Sequence, residues 1–368
     1  MNRFLSQKFR FYSFVCIALL LFVHGYNLNE TYLQPFSLVR ERITFTTFFE
    51  YLFANGLLRF RLPVLFIISG YIFALQDSQP HLSRIKKRVK TLVVPFLIWS
   101  AAGLAMTWLW QQHPVTAKAV AEAQLDQLGD NRPYSELSWG DLIYRWLRYP
   151  VSFQLWFIRT LFVYNVFYPV FRWAIVKYPV IWFSLMLLFW ITMFNGLFFE
   201  GQGMLFFSLG IWLCKTNYRI DKKPEWFSHY LSWLFFVGIS VIKTFMAFEF
   251  ELYSTVNIWV LATLHIISVA AGVLAIWFSC DRIVRWCMRR KWFVWATAFA
   301  FLIYGLHVPL LPYMNRLAFM YMNHIPNYRL LVYLGVPILV LFFCIGFGAA
   351  LRAAAPKVYR IATGGRGF

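Results

Sequence analysis

Acidic side chains are scarce in this sequence: 15 Asp and Glu stand against 35 Lys and Arg in 368 residues, a formal net charge of +20. Charged residues of either sign make up 14% of the chain, whereas hydrophobic residues reach 60% and aromatics 21%. That leaves too little polar surface for a soluble protein of this length. The cysteines, Cys16, Cys214, Cys280, Cys287 and Cys344, fall in apolar segments or at their basic ends, so no disulfide framework is implied. No Pro-, Gly- or Ser-rich linker sets off a soluble domain, and no internal repeat or low-complexity block is present. A cleavable signal is not expected either, because the first apolar run carries His24 and lacks a small-residue cleavage pattern after it. No metal-ligand cluster or phosphate-binding glycine loop occurs, Gly364-Gly365 being part of a short tail, so neither a bound metal nor a bound cofactor is expected.

What the sequence has is apolar residues in blocks. A hydrocarbon core roughly 30 Å thick asks for about 20 residues of helix, and such blocks can be bracketed at 11–27, 62–76, 91–110, 152–171, 179–198, 203–214, 229–247, 255–279, 292–313 and 329–351. The expected fold is all-α and integral to the membrane, a polytopic bundle of about ten transmembrane helices. Arg3, Lys8 and Arg10 precede the first block, and basic residues concentrate in 77–90, 172–178, 215–228, 280–291 and the tail. By the positive-inside rule both termini are cytoplasmic. The lipid bilayer, with its anionic inner leaflet, thus accounts for the net charge, and nucleic acid is not an expected partner. The domain reading is one membrane domain over 1–351 and a short basic cytoplasmic tail over 352–368. The longest external stretch, 111–151, reads as an amphipathic loop: Val115 to Leu128 alternates as a short helix. Ser138 with Asp141 suits a helix start ahead of Trp139, Leu142, Ile143 and Trp146.

Near the middle of these apolar blocks stand His24, Arg61, Arg159, Lys243, His265 and His307, all basic or potentially basic, with no acidic residue clearly beside them. Intramembrane ionisable groups are costly and mark function by default, and this set asks for an anionic ligand. At about 1.5 Å per residue, His24 lies about 21 Å in from Arg10, His307 about 24 Å from Lys291, Arg159 about 20 Å from Arg172, Lys243 about 21 Å from His229 and His265 about 24 Å from Asp281. All five values describe one layer, which fits a shared site or separate structural roles with long side chains reaching an interface. The second block is short, with Pro63 suited to a first helical turn, so Arg59 and Arg61 sit just before a helix N-terminus that begins within the membrane. Asn55-Gly56 upstream allows the chain to bend inward. Two arginines at the outer headgroup level are the plainer reading of the same residues.

The stretch Arg59-Phe-Arg61-Leu-Pro63-Val-Leu-Phe-Ile-Ile-Ser69-Gly70-Tyr71 resembles the arginine pair and Ser-Gly-Tyr signature of the acyltransferase-3 family of membrane acyltransferases. His24 in the first span, Thr91-Leu-Val-Val-Pro95-Phe-Leu-Ile-Trp99 after a basic loop, Leu155-Trp156-Phe157, and Ile303-Tyr304-Gly-Leu-His307 are similar to that family in the same order, over nearly the whole chain. The resemblance implies transfer of an acyl group, most often acetyl from acetyl-CoA, to a hydroxyl of an extracytoplasmic or lipid-linked carbohydrate. The co-substrate expected is therefore an acyl-CoA, the acceptor a carbohydrate, and the location the cell inner membrane. The family places a basic residue eleven positions before the first-span histidine. Here that position is Ser13. Arg10, fourteen before, returns to within about 40° of the histidine's helical face and is the candidate replacement in donor binding.

The residues suggest the chemistry on their own terms. A sugar hydroxyl attacking a thioester needs a base that titrates near neutrality, which favours His24, with His307 as the second candidate. Arg59 and Arg61 suit the negative charge that grows on the attacked carbonyl, or the donor's phosphates. Ser69 and Tyr71 could donate hydrogen bonds, or could simply pack. Trp156 and Arg159 share a face at i, i+3, as do Tyr304 and His307, giving Trp156 a ring to offer a sugar or adenine, or an anchor at the interface. His265 and Lys243 carry no motif, and Glu50 could orient a histidine or arginine. Arg282 to Lys291 could help hold a phosphorylated cytosolic donor. Direct transfer and an acyl-histidine relay are both open. The main alternative function is a transporter of an anionic or lipid-linked glycan, against which the absence of two related halves counts. A polysaccharide polymerase would use a larger arginine-rich external loop than Arg132, Arg145 and Arg148 supply.

Overall fold

A computed structural model describes residues 1–26, 38–130, 132–196, 198–250 and 254–367. The described residues are helical apart from turns and a single isolated bridge between Asn195 and Glu200. Seven helices among them are long and apolar enough to cross a membrane: Arg3–His24, Phe45–Ala74, His81–Gln111, His229–Glu249, Thr255–Ser279, Lys291–Met322 and Tyr328–Ala354. These match seven of the ten apolar blocks. The other three blocks fall on shorter helices, Trp156–Val166 of 11 residues, Pro179–Ile191 of 13 and Gly201–Lys215 of 15. The block 152–171 is divided at Phe167, where a new helix with proline in its first turn, Tyr168–Lys177, begins. The long helices keep large apolar side chains exposed, as with Leu339, Phe342 and Phe343 on Tyr328–Ala354, a surface that lipid and not water would cover. The chain is a multi-pass membrane protein.

The described residues gather into two compact units. The first draws on 1–20, 33–85 and 160–294. Within it, Arg61–Ala74 packs along Gly201–Lys215, and glycines allow the approach: a Cβ on Gly70 would strike the Phe207 carbonyl, and one on Gly210 the Ile67 carbonyl. The glycine of the Ser69-Gly70-Tyr71 signature is therefore a backbone-contact residue. Phe66, Phe73, Phe207, Tyr164 and Phe171 fill the space around this pair. At one end of the pair, Asp77 receives Arg84 at 3.1 Å, Arg172 at 3.0 Å, the Lys215 ammonium and the Tyr168 hydroxyl. His229–Glu249 and Thr255–Ser279 form a second pair in this unit, against which residues 52–57 lie.

The second unit draws on 21–32, 86–159 and 295–368. Its frame is the pair Ala300–Met322 and Tyr328–Ala354, with Val94–Gln111 and Pro114–Ala123 against the former. The expected helix at Val115–Leu128 stops earlier, at Ala123, where Gln124 takes a left-handed conformation with φ 47°. Trp139–Leu147 starts at the expected Ser138 and Asp141 capping box and is tied down by Ser100 Oγ on the Trp146 carbonyl at 2.6 Å. The C-terminal residues fold back: Trp99 Nε1 donates to the Ala362 carbonyl at 2.9 Å and Arg366 to the Thr91 carbonyl at 2.8 Å.

Candidate functional site

Two prolines shape the helix that carries His307. Pro309 and Pro312 lack the N–H groups that the carbonyls of Gly305 and Val308 would receive in an uninterrupted helix, and Val308 is extended, with φ −114° and ψ 131°. Such orphaned carbonyls cost several kcal/mol, roughly, in an apolar medium. A turn of the same unit satisfies them: Ser152 Oγ donates to the Val308 carbonyl at 2.9 Å, and Gln154 Nε2 lies 3.3 Å from that of Gly305 and 3.4 Å from that of Val308. Tyr304 returns a hydrogen bond from its hydroxyl to the Gln154 carbonyl. Gly305 leaves room for the Trp99 indole, which a Cβ would strike. The sequence reading passed over Ser152 and Gln154. Their signal was the Pro309-Leu-Leu-Pro312 spacing inside a span.

The kink presents His307, fully buried, to the end of the first helix. His307 Nδ1 lies 2.9 Å from the Ile303 carbonyl, and a carbonyl only accepts, so that nitrogen carries the proton. In the neutral ring Nε2 is then the acceptor, and His24 Nδ1, 3.0 Å away, must be its donor. With both rings neutral the tautomer of His24 follows from its partner's: its proton sits on Nδ1 and its lone pair on Nε2. The two rings are nearly parallel, with centroids 5.1 Å apart at 18°, and the Phe153 ring lies 4.9 Å from that of His24. The helix end is held as well, since Asn315 Nδ2 donates to the Gly25 carbonyl at 3.2 Å. Tyr304 packs 6.4 Å from the His307 ring. Of the neighbouring candidates, Arg159 Nη1 donates to the Arg148 carbonyl at 2.9 Å, and Trp156 packs edge-on to Phe157 at 6.2 Å.

The first unit holds a different cluster. The helix Arg61–Ala74 begins where the sequence placed a helix start, with Arg61 as its first residue. What precedes it differs from the expected inward bend: Asn55 and Gly56 lie inside a π-helical turn, Leu52–Leu57, continuous with the helix Phe45–Tyr51. A π-turn leaves a wider, shifted hydrogen-bond pattern, and its groups are used. The Lys243 ammonium donates to the Asn55 carbonyl, Arg59 Nη2 donates to Asn55 Oδ1, and Arg61 Nε donates to the Leu58 carbonyl. His265 Nδ1 is 3.4 Å from the Lys243 ammonium. Gly56 faces Ser240, whose Cβ would be 3.2 Å from an added Cβ. Lys243 and His265, which carried no motif, thus belong with the arginine pair. Glu50 is buried in the helix before the π-turn and is the one acidic residue in the buried class among those described.

The remaining candidates lie elsewhere in the same unit. Tyr71 is ten residues along the helix from Arg61, about 15 Å, and packs edge-on to Phe9 at 5.3 Å. Ser69 sits in the same stretch beside Gly70. Arg10 is exposed, with Nη2 donating to the Val294 carbonyl at 2.8 Å. No group of three or more His, Cys, Asp or Glu residues suited to a metal occurs among the described residues.

Fold and site together define a multi-pass helical membrane protein with an oriented histidine and a set of buried fixed cations. The acyltransferase domain family, acyltransferase-3, matches residues 14–351, and the chain belongs to that family. It is also similar to the succinoglycan biosynthesis protein ExoH of Rhizobium meliloti (strain 1021), with 23% identity over 320 residues that cover 85% of this chain and 80% of ExoH. No solved structure matches significantly.

Proposed function

We propose that this protein is a membrane-bound O-acyltransferase that moves an acyl group, acetyl in the simplest case, from a cytosolic acyl-CoA to a hydroxyl of an extracytoplasmic or lipid-linked carbohydrate. The observation that carries the reading is the hydrogen-bond chain His24 Nδ1 to His307 Nε2 at 3.0 Å and His307 Nδ1 to the Ile303 carbonyl at 2.9 Å. A base needs its lone pair at a defined atom, and with both rings neutral this chain supports His24 Nε2 in that role. His24 takes the proton of the carbohydrate hydroxyl as the oxygen attacks the thioester carbonyl. The tetrahedral intermediate collapses, the C–S bond breaks, and the thiolate of CoA recovers the proton from His24. His307 accepts the hydrogen bond of the imidazolium while it exists.

Arg59 and Arg61 are assigned to the negative charge of the donor and of the developing oxyanion, a task for cations that need no reorganisation. Asn55 Oδ1 holds Arg59 and the Leu58 carbonyl holds Arg61, while Lys243 braces the Asn55 carbonyl. Arg10 is assigned to the donor's cytosolic portion, and Trp156, Arg159, Ser69, Tyr71 and Tyr304 to positioning. Family membership supports acyl transfer, and the name of the Rhizobium relative, which places it in succinoglycan biosynthesis, supports a carbohydrate acceptor. About ten spans in the cell inner membrane, both termini cytoplasmic, complete the proposal, with the three shorter helices as partial or tilted spans.

Mass spectrometry of envelope carbohydrate before and after mild base treatment tests it, in cells carrying the wild-type protein, none, or His24→Ala. Base-labile acyl groups present only with the wild type are the expected result. Equal ester content in all three would overturn the assignment and favour transport.

A further inference from the structure

The short helix Asp281–Met288 and the turn that follows line a cavity of about 480 Å³ with Arg282, Arg285, Trp286, Arg289 and Arg290. All five side chains are exposed, so this is an open surface hollow, and its lining is almost wholly cationic. The nearest acid in sequence, Asp281, is already taken: Lys8, fully buried, binds its carboxylate at 2.6 Å. No hydrogen bond or ion pair among the described residues engages the four guanidinium groups. Two of them are nonetheless held by aromatic rings, Arg285 over Phe4 at 4.6 Å and Arg290 over Trp286 at 5.1 Å. The turn is fixed by the backbone bonds Arg289 N to the Trp286 carbonyl at 3.3 Å and Arg290 N to that of Cys287 at 2.9 Å. One turn further on, the Val294 carbonyl receives Arg10, so the N-terminal helix packs against the same segment at both Phe4 and Arg10.

Four exposed like charges around one open hollow raise the local positive potential, which favours an anion there. Guanidinium groups with fixed orientation match phosphate oxygens in pairs. We propose that this cavity is a phosphate-binding site, taking a phosphate ester that can come from either of two sources: an anionic phospholipid headgroup or the phosphorylated end of a soluble nucleotide. The site lies within the first unit; its soluble source rests on the acyl-CoA donor proposed above, whereas its lipid source does not.

The test is equilibrium binding to the purified full-length protein in nanodiscs. One arm uses radiolabelled adenosine 3′,5′-bisphosphate with phosphatidylcholine discs. The other compares phosphatidylglycerol with phosphatidylcholine as the lipid retained after exchange. Arg289→Gln/Arg290→Gln and the single Arg285→Gln are expected to weaken one of these by about tenfold or more, the loss of a charge-assisted contact. The control pair Lys222→Gln/Lys223→Gln, exposed and removing equal charge, is expected to change binding less than about twofold, the accuracy of such a measurement. Loss in the nucleotide arm identifies a soluble phosphate ester, and loss in the lipid arm identifies the headgroup; either supports the site. Equal losses in the arginine and lysine variants, or none in either arm, would overturn it. Elution of every variant as a monodisperse peak shows that folding is not what is being read.

Discussion

In the second unit the nitrogens of His24 and His307 lie 3.0 Å apart and pass one hydrogen bond on to a backbone carbonyl, whereas in the first unit Lys243, Arg59 and Arg61 each rest on an oxygen of Asn55 or Leu58. Both arrangements bury basic groups where burial is costly, and both meet the cost with backbone that is not regular α-helix. The kink at Val308 fixes one, the π-turn at 52–57 the other. The difference lies in what the groups can do. An imidazole can receive and return a proton near neutral pH, whereas a guanidinium keeps its charge and can only attract. The comparison teaches that irregular backbone is the common means by which this fold supports polar groups, the paired imidazoles and the fixed charges alike.

The comparison can be broken most directly at the histidines. His24→Ala is expected to lower transfer by about 10²–10⁴, the range of a lost general base, measured as initial rates at matched protein levels. Arg61→Ala is expected to cost about 10²–10³, with Arg61→Lys recovering part of it, since a lysine keeps charge but not the fork that bonds the Leu58 carbonyl. Rates that fall equally for Lys and Ala would locate the role of Arg61 in shape, not charge. His307→Gln is expected to lose about 10–100-fold, the scale of a misoriented partner. Its pH profile should shift relative to the wild type, because the proton on His24 is no longer assigned to Nδ1.

Two smaller effects sharpen the picture of the first unit as a rigid support. Gly70→Ala forces a methyl group into the Phe207 carbonyl and is expected to destabilise by about 1–3 kcal/mol, read as a lower midpoint of thermal unfolding in detergent. Asp77 gives a pH signature. Burial alone would raise its carboxyl, but hydrogen bonds from Lys215 and Tyr168 and the charges of Lys215 and Arg172 outweigh this and hold it below the usual carboxylate range. A group so depressed stabilises the fold fully above its unfolded value and loses that contribution as pH falls through the folded one. Wild type should therefore exceed Asp77→Asn in stability at neutral pH and lose that advantage below about pH 4. A gap that persists under acid would contradict the ion cluster's role.

Much of this was legible in the sequence. Apolar length marked the long helices, His24 and His307 stood out as basic groups within apolar spans, Pro63 marked the helix start near Arg61, and Ser138 with Asp141 marked a cap that forms. What escaped has a physical reason in each case. Asn55-Gly56 reads as a bend by local propensity, yet a π-turn places the same pair in helical backbone where the Asn55 carbonyl can receive Lys243. Lys243 and His265 belong to no local motif, and only the pairing of their two helices brings them beside Asn55 and Arg59. Ser152 and Gln154 answer carbonyls freed by prolines about 150 residues away, a partnership visible only in three dimensions. Composition reports apolar length and does not see the break at Phe167 within 152–171 or the turn after Ile191 within 179–198.

The most direct test of the account is acyl transfer by purified protein in liposomes, with isotopically labelled acetyl-CoA on one side and envelope carbohydrate as acceptor, comparing wild type, His24→Ala and His307→Gln. The account predicts base-labile label on the carbohydrate with wild type, a residue of it with His307→Gln, and none above background with His24→Ala. Transfer by His24→Ala at the wild-type rate would contradict it.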